Sequence, residues 1–222
     1  MAKKIIFGLI WLAFGTYAFL LAPPDQPDTN LLIQNLIGGR LEGINPVIIA
    51  LFNIMGILPM IFACVLFSDG RGQKVPAWIF ATLSFGIGAF GLLPYFVLRS
   101  SNPTFIGKKS WLIRFFDSRW LGVLLAIASV ILVGYAFREG NWSDFGVQFQ
   151  TNRFINVMSL DFCELCLLFP WLLADDMHRR GMESSNVFMM LSAIPLFGAL
   201  TYLCLRSSLI SFDPPQDIAL TS

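Results

Sequence analysis

Long apolar runs separated by short polar connectors make up most of the chain. The runs cover residues 5–22, 47–67, 77–98, 121–137, 154–174 and 187–205. About 20 apolar residues suffice to cross a bilayer as a helix. The pattern therefore predicts an all-α polytopic integral membrane bundle, a single membrane domain over residues 1–222 with about six spans. The first run follows Lys3 and Lys4 and meets Pro23 and Pro24 with no small-x-small site before them. That predicts an uncleaved signal-anchor.

Two connectors carry patterns of their own. Leu31, Leu32, Leu36 and Ile37 form one stripe, predicting a short interfacial helix that Thr29 or Asn30 caps and Gly38-Gly39 ends. Between residues 99 and 119, Arg99, Lys108, Lys109, Arg114 and Arg119 interleave with Phe105, Trp111, Phe115 and Phe116. Cations among aromatics suit a segment lying at the headgroup level. Lys108, Lys109, Trp111 and Arg114 are its candidate contacts to anionic lipid or, more sharply, to a docking partner. Asp117 is expected to cap the next helix. The run from Asp175 to Gly181 reads as a charged turn.

The halves also resemble each other. Phe90-Gly91 followed by Tyr95 is echoed by Phe197-Gly198 followed by Tyr202. Asn53 precedes Pro59 at the spacing by which Glu164 precedes Pro170. Three spans per half would make this a 3+3 inverted repeat, as in many transporters; chance likeness among apolar helices is the rival. With six spans the basic residues divide seven against eight between the two sides. That tie gives no orientation by the positive-inside rule, and only the leading Lys pair tilts the termini to the cytoplasmic or stromal side.

Composition narrows the function classes. With 56% hydrophobic and 13% charged residues, the chain is too apolar for a soluble domain. A net charge of +1 leaves no nucleic-acid footprint. No nucleotide-binding or zinc-protease motif occurs, so no catalytic or metal residue is assigned and an enzyme is not the expectation. The single histidine, His178, lies in a polar segment. A bis-His haem needs two at membrane depth, so haem is disfavoured, whereas a bound pigment or lipid fits the composition. The cysteines (Cys64, Cys163, Cys166 and Cys204) all fall in apolar runs.

The chemistry concentrates in the fifth run, where Asp161 and Glu164 stand among apolar residues. Each costs roughly 2.5–3.5 kcal/mol at the centre of a membrane helix on insertion scales. Three residues apart, they share one helix face. A pair sharing a proton could relay it, accept a cation or hold a magnesium-bearing pigment. Asn53 is the candidate partner across the bundle, completing an intramembrane polar site of Asp161, Glu164 and Asn53. The plainer alternative has both acids satisfied by water or backbone near one interface. Cys163-Glu-Leu-Cys166 also spells C-x-x-C, but no loop cysteine exists to pass electrons on. Packing accounts for it better.

Ser159-Leu-Asp-Phe-Cys163, Phe169-Pro170, Ala174-Asp-Asp-Met177 and Arg179-Arg-Gly181, with Asn45-Pro46 through Asp69-Gly-Arg-Gly72, resemble a family of multi-span membrane proteins of cyanobacteria and plastids. Its domain carries no assigned reaction. The resemblance covers about residues 45–181 and implies a setting, a thylakoid-type or bacterial inner membrane. The resulting expectation is a non-enzymatic accessory or assembly component of a photosynthetic membrane, in the bilayer and within a larger membrane protein complex. The alternative is a small proton- or cation-coupled transporter using the Asp/Glu pair.

Overall fold

The computed structural model describes residues 1–182 and 194–210, and among them every regular element is a helix, with no strand. The helices are α1 (Ala2–Thr16), extended by a π-helical turn (Tyr17–Leu21); α2 (Thr29–Gly38); α3 (Pro46–Asp69); α4 (Ala77–Leu98); α5 (Trp111–Asp117); α6 (Arg119–Glu139); α7 (Trp142–Thr151); α8 (Arg153–Leu168); α9 (Pro170–Arg179); and α10 (Phe197–Leu205). Five stretches are long and apolar enough to cross a membrane: Ala2–Leu21, Pro46–Asp69, Ala77–Leu98, Arg119–Glu139 and Arg153–Arg179. The predicted all-α membrane bundle stands. The sixth predicted span, 187–205, lies partly outside the described residues, and α10 is its described part.

Local chemistry sets the helix starts. The Asn45 side chain accepts from Val47 N at 3.0 Å, and Pro46 occupies the first helical position, where its missing N–H costs nothing. Asn152 likewise caps α8 through Ile155 N. The interfacial helix α2 ends on Gly39 with φ 70°, as expected. Two caps differ from expectation. Asp28, not Thr29 or Asn30, precedes α2, while the Thr29 hydroxyl accepts from Gln26 N. Ser118, not Asp117, precedes α6, because Asp117 accepts from Lys109 and Arg180 instead.

α4 does not run straight. Ile87 and Gly88 leave the helical region, Gly88 with φ 53° and ψ −130°. Its two limbs then lie side by side. The rings of Phe80 and Tyr95 are 5.6 Å apart, and a Cβ on Gly91 would stand 3.0 Å from the Leu83 and Ser84 backbone. Both ends return to one place, where Gln73 bonds the Ser100 backbone. Residues 77–98 are thus a re-entrant helical hairpin. Each limb of about ten residues reaches about 15 Å, half of a hydrocarbon core about 30 Å thick.

The remaining long helices run from end to end. At one end, here the Asp69 end, Lys4 reaches Leu98 O, Arg119 reaches Arg206 O, and Asp69 lies beside Arg179. At the other, the Arg153 end, Arg153 bonds Pro23 O and Asp25, and Asn45 bonds Asn141 O and Asp144. Their lipid-facing sides are apolar: Trp120, Leu124, Ile127 and Ile131 on α6, and Ile5, Leu9 and Leu12 on α1, are exposed. That is the surface a bilayer covers.

The repeat is present, but it is not inverted. Tyr95 donates to Asp69 at 2.6 Å across 26 residues, and Tyr202 donates to Asp176 at 2.6 Å across the same 26. Arg99 pairs with Asp69 and Arg206 approaches Asp176. Arg179 then bridges Asp69 and Asp176 directly, so both clusters lie at one end. An inverted pair would put them on opposite faces. The hairpin explains the difference, since it adds an even number of passes and leaves the halves parallel.

Candidate functional site

The hairpin tip places the polar site. At Gly88 the chain reverses, and the limb from Ala89 to Leu98 begins with free backbone N–H groups at membrane depth. Asp161, arriving from α8, accepts from Ala89 N through Oδ1 at 2.7 Å. A carboxylate there is favoured by both the hydrogen bond and the positive end of the helix dipole. A Cβ on Gly88 would overlap the Asp161 carboxyl group. Only glycine fits this position, on conformation and on space alike.

Asp161 is 7% exposed and lies about 12 Å along α8 from Arg153, at 1.5 Å per residue. It forms part of the wall of a cavity of about 520 Å³, with Phe52, Met55, Ser84, Phe85 and Met158 around it. Among the described residues no donor reaches Oδ2. Phe19, Phe90, Phe154 and Val157 also line a second cavity, whose other walls include Asp25, Gln26, Asn30 and Arg153. The two share these four walls, so the second cavity lies between the polar surface at the Arg153 end and the cavity of the carboxylate. The π-helical turn in α1 carries Phe19 on that shared wall, and Tyr17 at its start donates to Asn156 Oδ1 at 2.9 Å. Such turns recur at functional sites.

Glu164 is half-buried and faces elsewhere. It lines a groove of about 460 Å³ between α1 and α8, and its Oε2 is buried without a hydrogen-bond partner among the described residues. The pair predicted as one site therefore opens into two cavities. Asn53 belongs to neither. It is exposed, and its amide donates to Ile49 O one turn back on its own helix. The structure does not bring Asn53 to the acids: the α3 face toward Asp161 carries Phe52, Met55 and Gly56 instead.

The Asp69 end is packed with paired charges. Asp69, Asp176, Arg179, Arg180 and Arg206 are all buried, and each is paired. Arg99 bridges Asp69 and Asp175, Arg179 bridges Asp69 and Asp176, and Arg180 bridges Asp176 and Asp117. Arg206 donates to Cys64 O and Phe116 O. Burial works against the charge on Arg180, but Asp176 and Asp117 outweigh it and hold this group above the ordinary arginine value. Burial and the neighbouring Arg180 draw Arg206 below it. The segment from Asp175, predicted as a charged turn, is instead the last turn of α9 and the centre of this network. The buried charges are tolerated because each guanidinium meets carboxylates or carbonyls at hydrogen-bond distance.

The predicted contact residues sit on the rim of this end. Trp111 is 78% exposed, Lys108 and Arg114 are exposed, and Lys109 is tied to Asp117. From the sequence, Gly86, Gly88 and Gly91 read as small residues for helix packing; Gly88 is instead the point of reversal. Sequence reasoning missed Asp69, Arg99, Asp176 and Arg206, although the two tyrosines that address the acids stood out as a matched pair. No family model, curated protein or solved structure matches the chain.

Proposed function

We propose that the chain is a small proton- or cation-coupled membrane carrier in which Asp161 is the exchanging group. The observation that carries this reading is the position of Asp161 at the tip of a re-entrant hairpin, on the wall of a cavity that adjoins one reaching the Arg153 end. Non-helical backbone at membrane depth is tolerated where it is buried or lines a water-filled cavity. Broken helices whose half-helix ends face an ionic group are the usual construction of carrier sites. Oδ1 is held by Ala89 N while Oδ2 faces the cavity, leaving one oxygen to take a proton or a small cation. The buried ion pairs occupy the Asp69 end, so on this reading access is from the Arg153 end.

Charge supports a direction of access. With α4 returning to its own side, only Arg40, Arg138 and Arg153 of the 15 Lys and Arg side chains lie at the Arg153 end. The positive-inside rule then puts the Asp69 end on the cytoplasmic or stromal side and access on the other.

The test separates charge from capping. Asn caps a helix as well as Asp, so Asp161→Asn keeps the hairpin tip while removing the exchangeable group. In proteoliposomes under an imposed membrane potential, the wild type is expected to admit protons (internal pyranine) or radiolabelled sodium. Asp161→Asn is expected to fall to the rate of empty liposomes. Equal rates for the two proteins would end the carrier reading.

A second reading keeps the accessory or assembly role in a photosynthetic, thylakoid-type membrane. It is favoured by the exposed Trp111 and Trp120, at 78% and 77%, beside Lys108 and Arg114, a basic aromatic rim suited to a protein partner or anionic lipid. Migration as a larger complex on native gels, lost on replacing Trp111 and Arg114 by Ala, would support it.

A further inference from the structure

The groove between α1 and α8 shares no lining residue with the Asp161 cavity, and its occupancy does not depend on the carrier reading. Its volume is about 460 Å³, within the roughly 300–1,000 Å³ of small-molecule sites. The walls are almost wholly apolar and strongly aromatic, with Phe7, Phe14, Tyr17 and Trp171 among them. The one carboxyl group in this lining is that of Glu164. Among the described residues neither of its oxygens has a hydrogen-bond partner, and with Oε2 shut off from solvent, Oε1 is the atom left to meet a guest; an unpaired acceptor in apolar surroundings is costly. We propose that this groove binds a membrane-soluble alcohol or phenol, a slim apolar molecule whose hydroxyl donates to Glu164.

Size and depth select that class. A helix about 10 Å across and three turns long fills more than about 1,200 Å³ and would lie on the groove rather than in it. Glu164 lies about 17 Å along α8 from Arg153, near the middle of the bilayer. Phospholipid headgroups do not reach that depth, and acyl chains carry no donor. An ammonium would add the cost of a cation in hydrocarbon, whereas a hydroxyl does not. The internal repeat points the same way. α6 of the second half lies directly along α3 of the first, while their counterparts, α1 of the first half and α8 of the second, are parted by this groove, with room between them for a guest.

Trp171 on the groove wall supplies the readout. The full-length protein in nanodiscs is titrated with a decyl-substituted benzoquinol and, separately, with a dihydroxy carotenoid. The Trp171 signal is taken as the difference from Trp171→Phe. At least one of the two is expected to quench Trp171 saturably. Its hydroxyl-free analogue (the quinol dimethyl ether, or the hydrocarbon carotenoid) is expected to bind about tenfold more weakly, as is Glu164→Leu. Ala13→Phe, which fills the groove from the α1 side, should abolish the effect, and Asp161→Asn should leave it unchanged. Which probe responds tells a phenolic ring from a hydroxylated polyene. Should Glu164→Leu fail to fold, the analogue comparison on wild-type protein and Ala13→Phe decide. Equal quenching by the hydroxyl-free analogue, retention in Ala13→Phe, or no saturable quenching by either probe overturns the proposal.

Discussion

At the scale of single residues, Asp161 and Gly88 are mutually dependent. The glycine permits the backbone reversal, and the carboxylate answers the N–H that the reversal frees. A side chain at Gly88 would need a conformation costing about 1–3 kcal/mol and would displace the Asp161 carboxyl group. Gly88→Ala is therefore expected to lower the unfolding temperature in detergent clearly, while Gly86→Ala, which meets no atom within 4 Å, should change it little. Comparable losses in both variants would count against the hairpin tip as described. That Asp161 needed a partner was legible in the string, because an acid in an apolar run is costly wherever it points. Its partner was not, since a backbone N–H belongs to no residue type and becomes available only when the chain breaks.

At the scale of elements, the repeated Asp–Tyr–Arg cluster fixes the ends of the returning segments to the through-going helices. A hydrogen bond to a charged group contributes about 1.5–3 kcal/mol. Tyr95→Phe and Tyr202→Phe should each lose an amount in that range in equilibrium unfolding. The two losses should be similar, because the bonds have the same length and burial. A large loss in one and none in the other would deny the equivalence. The hairpin itself is open to distance measurement. Trp78 and Leu98 are exposed and would be separated by about 30 Å along a straight helix. Spin labels there should report a distance well below that; a value near 30 Å would restore the third run as a straight span. The hydrophobic pattern could not reveal the fold-back, since two ten-residue limbs joined at a glycine read as one apolar run of about twenty.

For the whole molecule, the described residues form a bundle with buried, paired charges at one end and cavities toward the other. Single cysteines in place of Trp111 and Arg40 should be labelled by a membrane-impermeant maleimide from opposite faces, position 111 from the cytoplasmic or stromal one. The reverse pattern would overturn the orientation. The tie in basic residues between the two sides of a six-span bundle came from counting α4 as a crossing. Once that segment returns to its own side, the imbalance is strong.

Membrane residence, helical architecture and the places where polar groups interrupt the apolar runs were determined by the sequence alone. The cost of exposing backbone or charge to hydrocarbon depends on composition and length, which any linear reading contains. Only tertiary structure decided that Asp161 and Glu164 open into different cavities, that Asn53 turns back to its own helix, and that the apparent turn at Asp175 is the hub of a buried ion network. Those outcomes depend on which helix lies beside which. A single backbone reversal at Gly88 changes every such neighbour while leaving the hydrophobic pattern untouched.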